Sequence, residues 1–492
     1  SLFGKGQQPL MFSKVAHTDS CQGWQRIGRN IQYFRNGRKR HGKALYTLSF
    51  TVDFAHARDV CLLAYCFPYS YAQLQEDLEE ISNSPVSRAH CFVAPLCLTA
   101  TGTECKVLTI TANEGSRARA SSQARPGSAR NASRKVVFLS ARVHPGESNS
   151  SWMMRGLIDF LAGPSSEAQR LRRIFVFKII PMLNPDGVIH GQYRANMTGS
   201  DLNRQWATPS AEEHPTIWHA KALIQRLQTD CQVVMFCDLH GHSVKHNLFL
   251  YGCPMPAAYR VAAHANAAVP DTFPEFAQML RLSSPSFSLS DSKLHMLEKG
   301  KENTGRVVAW RQLGIRHSFT LEASLCGTNM CSAADVSGAL VQYACLDFEQ
   351  MGHDLGIALA LWSSCSARDR FAATARLDLP FGTPEGSQHT QRHTQSGHEL
   401  GKPPETTTSA GLLKEKSALP HAGGNGFGEV ARGEAAVSRE LLMEAAAASA
   451  GVEVEQIENS VDFSLLLRAC SKLLMARESL EGPAFASASV HK

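Results

Sequence analysis

The sequence has no CxxC pair, no apolar run long enough to cross a bilayer, and no large excess of either charge. Each absence removes a class of protein. Fourteen cysteines are present, but the closest, Cys61/Cys66 and Cys326/Cys331, lie five positions apart. That spacing does not support a cysteine-rich zinc knuckle. Several cysteines sit inside apolar strands, as Cys237 does in VVMFCDLHGH. A chain of 492 residues that is 43% hydrophobic can bury a large core, so a disulfide scaffold is not needed. A reducing, cytoplasmic location is expected. Apolar runs such as 174–183 (IFVFKIIPML) are short and contain Lys178, which argues against a membrane partner. The net charge of +6, from 50 basic and 44 acidic residues, is too mild to point to nucleic acid. It leaves room for a local basic surface facing an acidic partner. The first residue is Ser, not Met, so the sequence reads as a fragment of a longer protein, and no signal peptide is visible.

Four regions differ in texture. Residues 1–68 hold alternating apolar segments such as 46–54 (YTLSFTVDF) and 59–66, punctuated by turns such as Arg35-Asn36-Gly37. They predict a small antiparallel β domain, a β-sandwich. Residues 69–363 alternate strand-like and helix-like stretches. Strands are expected at 135–143, 175–183, 233–239 and 319–321, and helices at 148–161, 215–227 and 335–361. This alternation predicts an α/β fold, a mixed β-sheet flanked by helices. Residues 115–134 (GSRARASSQARPGSARNASR) interrupt it and read as a disordered loop between neighbouring strands. Residues 364–492 read as a mostly disordered tail with helical segments near 439–450 and 461–475. The second of these is amphipathic and reads as a docked helix.

The chemistry begins at ARVHPGES (141–148). His144 and Glu147 form an HxxE pair where a strand ends, and Pro145-Gly146 makes a turn that aims both side chains at one ion. Alone, such a pair is more often a solvated turn. The third candidate is His240, at the end of the apolar strand that runs into CDLHGHS (237–243). In open α/β sheets the functional crevice lies outside the strands' C-terminal ends. Strands ending at 144 and 240 therefore deliver polar residues to one edge. Two histidines and a glutamate with one open position is the arrangement of hydrolytic zinc. His242 and His246 are rivals for the third place, although His246 reads as surface.

With PMLNPDGV (181–188), GQYRANMTGSDLNRQW (191–206), TGRVVAW (304–310) and FTLEAS (319–324), these stretches together resemble the cytosolic carboxypeptidase family. Its members are zinc metallocarboxypeptidases related to the pancreatic digestive enzymes, and the resemblance is greatest to the larger tubulin-deglutamylating ones. It covers residues 1–363 and leaves out the 115–134 loop and the tail. It implies the zinc carboxypeptidase fold and one Zn2+ per chain, held by His144, Glu147 and His240. It implies that Asp201 orients a zinc histidine. Asn203 and Arg204 would grip the substrate's terminal carboxylate, which a planar guanidinium meets through two parallel hydrogen bonds. Arg194 would stabilise the oxyanion, and Glu322 would be the general base. Arg306 would line the pocket for the substrate side chain, with Lys301 or Arg311 adding charge. Phe319 stands where related sequences often carry tyrosine.

The implied function is hydrolysis of C-terminal or side-chain glutamates from polyglutamylated proteins such as tubulin, or from other proteins with acidic C-terminal tails. The implied location is the cytosol, with possible attachment to microtubules. Two other readings compete. One is a non-catalytic tubulin-binding module of the same fold, which the complete set of site residues opposes. The other is a zinc deacylase of small N-acyl amino acids, which the β domain and the NRQW segment oppose. The 115–134 loop is rich in arginine and could tether acidic tails, but a variable insertion explains it more simply.

Overall fold

The computed structural model describes residues 1–112, 134–254, 275–295, 299–330 and 340–364, and these belong to one compact unit. The expected loop up to residue 133, the tail from 365 with its two helical segments, and the start of the helix expected at 335 lie outside the described residues.

The N-terminal region holds strands β1 (Leu10–Ser13), β2 (Gln25–Arg26), β3 (Arg29–Arg40), β4 (Lys43–Thr51) and β5 (Cys61–Ala64). They are antiparallel, as expected, but form two separate sheets: β2-β1-β5, and the hairpin β3-β4. The region is tied to the rest of the unit. The Arg26 guanidinium donates to the carbonyls of Tyr343 (2.7 Å) and Cys326 (3.1 Å), and Lys5 Nζ donates to the Val244 carbonyl at 2.9 Å.

The main sheet contains β6 (Cys91–Leu98), β7 (Glu104–Ile110), β8 (Lys135–Ala141), β9 (Phe175–Ile180), β10 (Gln232–His242), β11 (Leu248–Tyr251) and β12 (His317–Ser324). Its order is β11-β12-β10-β8-β9-β7-β6. The β12, β10, β8 and β9 strands are parallel, and antiparallel strands flank them on both sides. Strands β7 and β8, on either side of the 115–134 stretch, were expected to be neighbours. They are not, because β9 lies between them. An apolar run can specify a strand without specifying its partner. The expected helix at 335–361 is also corrected. Val341–Gln342 is a strand paired with Gly327–Thr328, and the helix runs over Cys345–Ser364.

Parallel strands have to be covered on both faces, and here they are. On one face Val136, Phe138 and Phe236 pack with Trp206, with Ile217 and Ile224 of the helix Pro215–Asp230, and with Val308 of the helix Gly305–Arg311. The rings of Phe138 and Phe236 stack at 5.8 Å, and burying each stabilises the fold by about 2 kcal/mol. The helices Asn149–Ala162, Glu275–Ser283 and Cys345–Ser364 pack together on the other face. The first and last of these cross very closely. A Cβ on Gly156 would lie 1.9 Å from the Glu349 carbonyl, and one on Gly352 would lie 1.9 Å from that of Met153. Among the described residues no helix is long and apolar enough to cross a membrane.

Candidate metal centre and its surroundings

The turn after β8 is fixed by its own polar groups. Arg142 adopts a left-handed backbone (φ 56°) and is buried. Its Nε donates to the Pro145 carbonyl at 2.8 Å, and its Nη1 donates to Ser151 Oγ at 2.8 Å. Burial pulls its pKa down to about 10. Gly146 N donates to the Tyr193 carbonyl at 2.7 Å, and a Cβ there would come within 2.8 Å of that same oxygen. Glycine is therefore required for this close approach. Asn184 of the PMLNPDGV stretch caps the following turn through Gly187 N (3.0 Å) and reaches the carbonyls of Val143 and Ala195.

This turn carries His144 and Glu147 to His240 at the end of β10. The three offer ligand atoms within 4.8 Å of one another. His144 Nδ1 is 2.8 Å from Glu147 Oε1, and His240 Nδ1 is 3.0 Å from Glu147 Oε2. The backbone N–H of Gly241 also donates to Glu147 Oε2 at 3.0 Å. A Cβ at Gly241 would lie 2.3 Å from Asn149 Oδ1, so any larger residue would have to displace the Asn149 side chain. Each imidazole has a carboxylate on its far side. His144 Nε2 faces Asp201 Oδ1 at 3.1 Å, and His240 Nε2 faces Asp238 Oδ2 at 2.7 Å. These carboxylates accept the Nε2 protons, so that once each Nδ1 gives up its proton its lone pair is turned inward beside the Glu147 carboxylate. Two nitrogens and one carboxylate with such partners fit a zinc ion.

The electrostatics suit a cation. Burial alone would lower the pKa of both histidines, but the facing carboxylates outweigh it. His144 is raised, and His240 is held well above the ordinary imidazole value. Glu147 is driven far below the carboxylate range by the two histidines, in spite of its burial. Asp201 is lowered likewise by His144, Arg194 and Arg204.

Glu322 lies on β12 directly opposite His240 in the parallel ladder, so the register alone puts this carboxylate beside the cluster. Burial pushes its pKa up to about 7 against the opposing charges of His240 and His144, with the charges of Glu147 and Asp238 adding to the rise. Arg194 Nε donates to Asp201 Oδ2 at 2.9 Å, and Arg194 Nη1 lies 4.0 Å from Glu147 Oε1. Arg204 Nη1 is 3.9 Å from Asp201 and donates to the Asn203 carbonyl at 2.9 Å. Asn203 lies between the cluster and a helix. Its Nδ2 is 3.4 Å from His240 Nε2, and its Oδ1 accepts from Gly305 N at 2.9 Å.

Arg306 is placed differently. It is buried, and its Nη1 donates to the Gly252 carbonyl at 2.6 Å. Lys301 is half-buried and Arg311 is exposed at a helix end. Phe319 is on the opposite side of β12 from Glu322, stacked on Phe276 at 5.4 Å in the core. A tyrosine there would place its hydroxyl among apolar groups, away from the cluster.

The rivals for the third ligand have other partners. His242 Nδ1 accepts from the backbone N–H of Lys245 at 2.9 Å, and burial lowers its pKa to about 4. His246 Nε2 meets the Lys5 carbonyl at 3.1 Å. Asp238 was not singled out in the sequence, yet it holds His240 and accepts from Ser140 Oγ at 2.7 Å. One signal was available: the two-residue repeat of a strand puts Asp238 and His240 on the same face.

Comparisons with known proteins give the family. The family model described as zinc carboxypeptidase matches residues 78–336. Cytosolic carboxypeptidase 3 of Mus musculus is 40% identical over 354 residues, covering 72% of this chain and 33% of that protein. Cytosolic carboxypeptidase 2 of Danio rerio is 40% identical over 354 residues, covering 72% of this chain and 46% of that protein. The chain thus spans between about a third and about a half of the length of these relatives. A metallo-carboxypeptidase from Burkholderia cenocepacia shares the fold, with a TM-score of 0.52 at 22% identity over 72% of this chain and 79% of that one. The chain belongs to the zinc carboxypeptidase family, within its cytosolic carboxypeptidase branch.

Proposed function

We propose that this chain is the catalytic region of a metallocarboxypeptidase that removes glutamates from the C-terminal tails or side-chain branches of polyglutamylated proteins, tubulin among them. The observation that carries the reading is the convergence of His144, Glu147 and His240, with Glu322 in register beside His240. Bound zinc would polarise the scissile carbonyl and acidify a water molecule. The residues of the chain do the rest. Glu322 takes the proton of the attacking water and passes it to the leaving amine, and its burial, which raises its pKa, makes it a better proton acceptor. Arg194 lies close enough to Glu147 to meet negative charge developing at the carbonyl oxygen. Asn203 and Arg204 would hold the terminal carboxylate. Arg306, buried and donating to the Gly252 carbonyl, would act from behind the side-chain pocket rather than at its surface. The names of the relatives support a cytosolic location, and an acidic tail as substrate would bring the enzyme to microtubules.

The test is glutamate release from a peptide with a polyglutamate tail, using zinc-loaded protein and mass spectrometry of the products. Release is expected, one residue at a time. Glu322→Gln should lower turnover about a thousandfold and leave zinc content unchanged. Folded, zinc-loaded protein that releases no glutamate would refute the substrate assignment. Full activity in Glu322→Gln would refute the role of the base. Binding of microtubules without release would favour the non-catalytic reading.

A further inference from the structure

The hairpin β3–β4 has a composition that its fold does not call for. Residues 29–51 contain Arg29, Arg35, Arg38, Lys39, Arg40 and Lys43 and no aspartate or glutamate. The whole chain has 50 basic and 44 acidic residues, so these six equal its entire formal excess of +6. Arg29 is paired with Asp53 at 2.5 Å. The other five are exposed and make no ion pair with any described residue. Arg40 and Lys43 even face each other across the ladder, where like charges destabilise a sheet. At that pair the charge works against the hairpin rather than for it.

The root of the hairpin leads to the metal centre. Tyr46 stacks on Tyr33 at 5.2 Å, and Tyr33 on Phe3 at 6.4 Å. Phe3 meets Tyr65 at 5.4 Å, and Tyr65 meets Tyr193 at 6.3 Å. The Tyr193 carbonyl accepts from Gly146 of the metal-binding turn, and Arg194 follows it. From Tyr33 the hairpin carries its charges past a bulge at Asn36-Gly37, and along the partner strand from Leu48 to Lys43 this spans five residues, roughly 17 Å at 3.3 Å per residue.

We propose that the charged end of this hairpin, Arg35 to Lys43, is a second contact site for the acidic polypeptide whose C-terminus enters the metal centre. This rests on the carboxypeptidase reading above. The site holds the substrate upstream of the cut, through salt-screened attraction to several carboxylates at once. A dipeptide or tripeptide cannot span the distance, whereas an extended acidic segment on the order of fifteen residues can.

The test compares zinc-loaded wild-type protein with the triple variant Arg38→Glu, Lys39→Glu, Arg40→Glu on two substrates. One is a short glutamate-ended peptide and the other a polyglutamate of roughly 20 residues. At low salt, KM for the long substrate should rise about tenfold with kcat unchanged, and the short substrate should be unaffected. The difference should vanish at high salt. An unmoved KM for the long substrate would overturn the proposal and leave the charges as simple protection of an exposed strand edge. Equal losses on both substrates would also overturn it. Binding of the same polyglutamate to Glu322→Gln protein, with and without the triple change, gives a readout that needs no turnover. If the wild-type chain cleaves nothing, the carboxypeptidase reading fails, and this binding measurement still decides the hairpin. Tighter hairpin-dependent binding of a DNA oligonucleotide than of polyglutamate would overturn the choice of partner.

Discussion

Strands β8, β10 and β12 and the hairpin β3–β4 are both β-structure, yet they are held by opposite means. Every residue from Val136 to Ala141 in β8 is buried, and helices cover both faces. In β3 only Ile31 is half-buried, and the other eleven residues are exposed. The hairpin is shaped locally, by a two-residue turn in which His41 (φ 49°) and Gly42 (φ 76°) are both left-handed, the geometry that matches strand twist. Where packing over-determines the backbone, the molecule places its metal ligands and carboxylates. Where packing determines little, it places charge. Precision is needed for the first group and reach for the second.

The largest effect expected from this contrast comes from the helix crossing behind the sheet. Gly352→Leu drives a side chain into the Met153 carbonyl and should cost at least about 3 kcal/mol, read as a fall in the urea midpoint. A tolerated leucine there would mean that the covering helices are not what hold β8 and β10.

Next come the carboxylates behind the histidines. Asp238→Asn should weaken zinc binding about 10- to 100-fold, measured by competition with a chelator. Asp201→Asn should weaken it as well, but less, because Asp201 is more exposed than Asp238 and shares its charge with two arginines. Equal zinc affinity in both variants and wild type would remove the orienting role.

A third prediction concerns pH. Both histidines have raised pKa values, so each must lose a proton to accept a metal. Zinc affinity should fall on acidification, beginning above the ordinary imidazole value of 6.5. The metal-free protein should behave in the opposite way. Its imidazolium–carboxylate pairs contribute fully below 6.5 and are lost as pH rises through the raised histidine values. The lowered Glu147 contributes fully above its ordinary 4.5 and is lost below it. The share of apo stability that these groups supply should therefore be greatest between about pH 4.5 and 6.5, read as the difference in thermal melts between wild type and His240→Gln. A flat profile would show that the pairs are not formed without metal.

The smallest effect is expected in the hairpin. Gly42→Ala meets no atom within 4 Å and strains only the turn, so it should cost about 1 kcal/mol or less. A larger loss would show that the hairpin supports the rest of the unit.

These differences also explain what could be read from the sequence. His144, Glu147, His240 and Glu322 stand out because each breaks an apolar run at a strand end, and burial makes such breaks conspicuous. The mixed sheet and its flanking helices follow from the same runs. Sheet order does not, since nothing in the runs at 104–110 and 135–141 says that β9 separates them. Asp238 was overlooked because it lies inside the run that marks β10, where a buried carboxylate is visible only through its partners Ser140 and His240. Arg142 was overlooked for a similar reason. Its left-handed backbone and its bonds to Pro145 and Ser151 exist only once the turn is closed.

The pairing of His240 with Glu322 across adjacent strands has an evolutionary corollary. A metal ligand and a proton carrier that ride on one hydrogen-bonded ladder keep their spacing however the connecting segments drift. Descendants of such an ancestor can lengthen, recharge or exchange their surface elements, and so acquire new clients, without rebuilding the reaction itself.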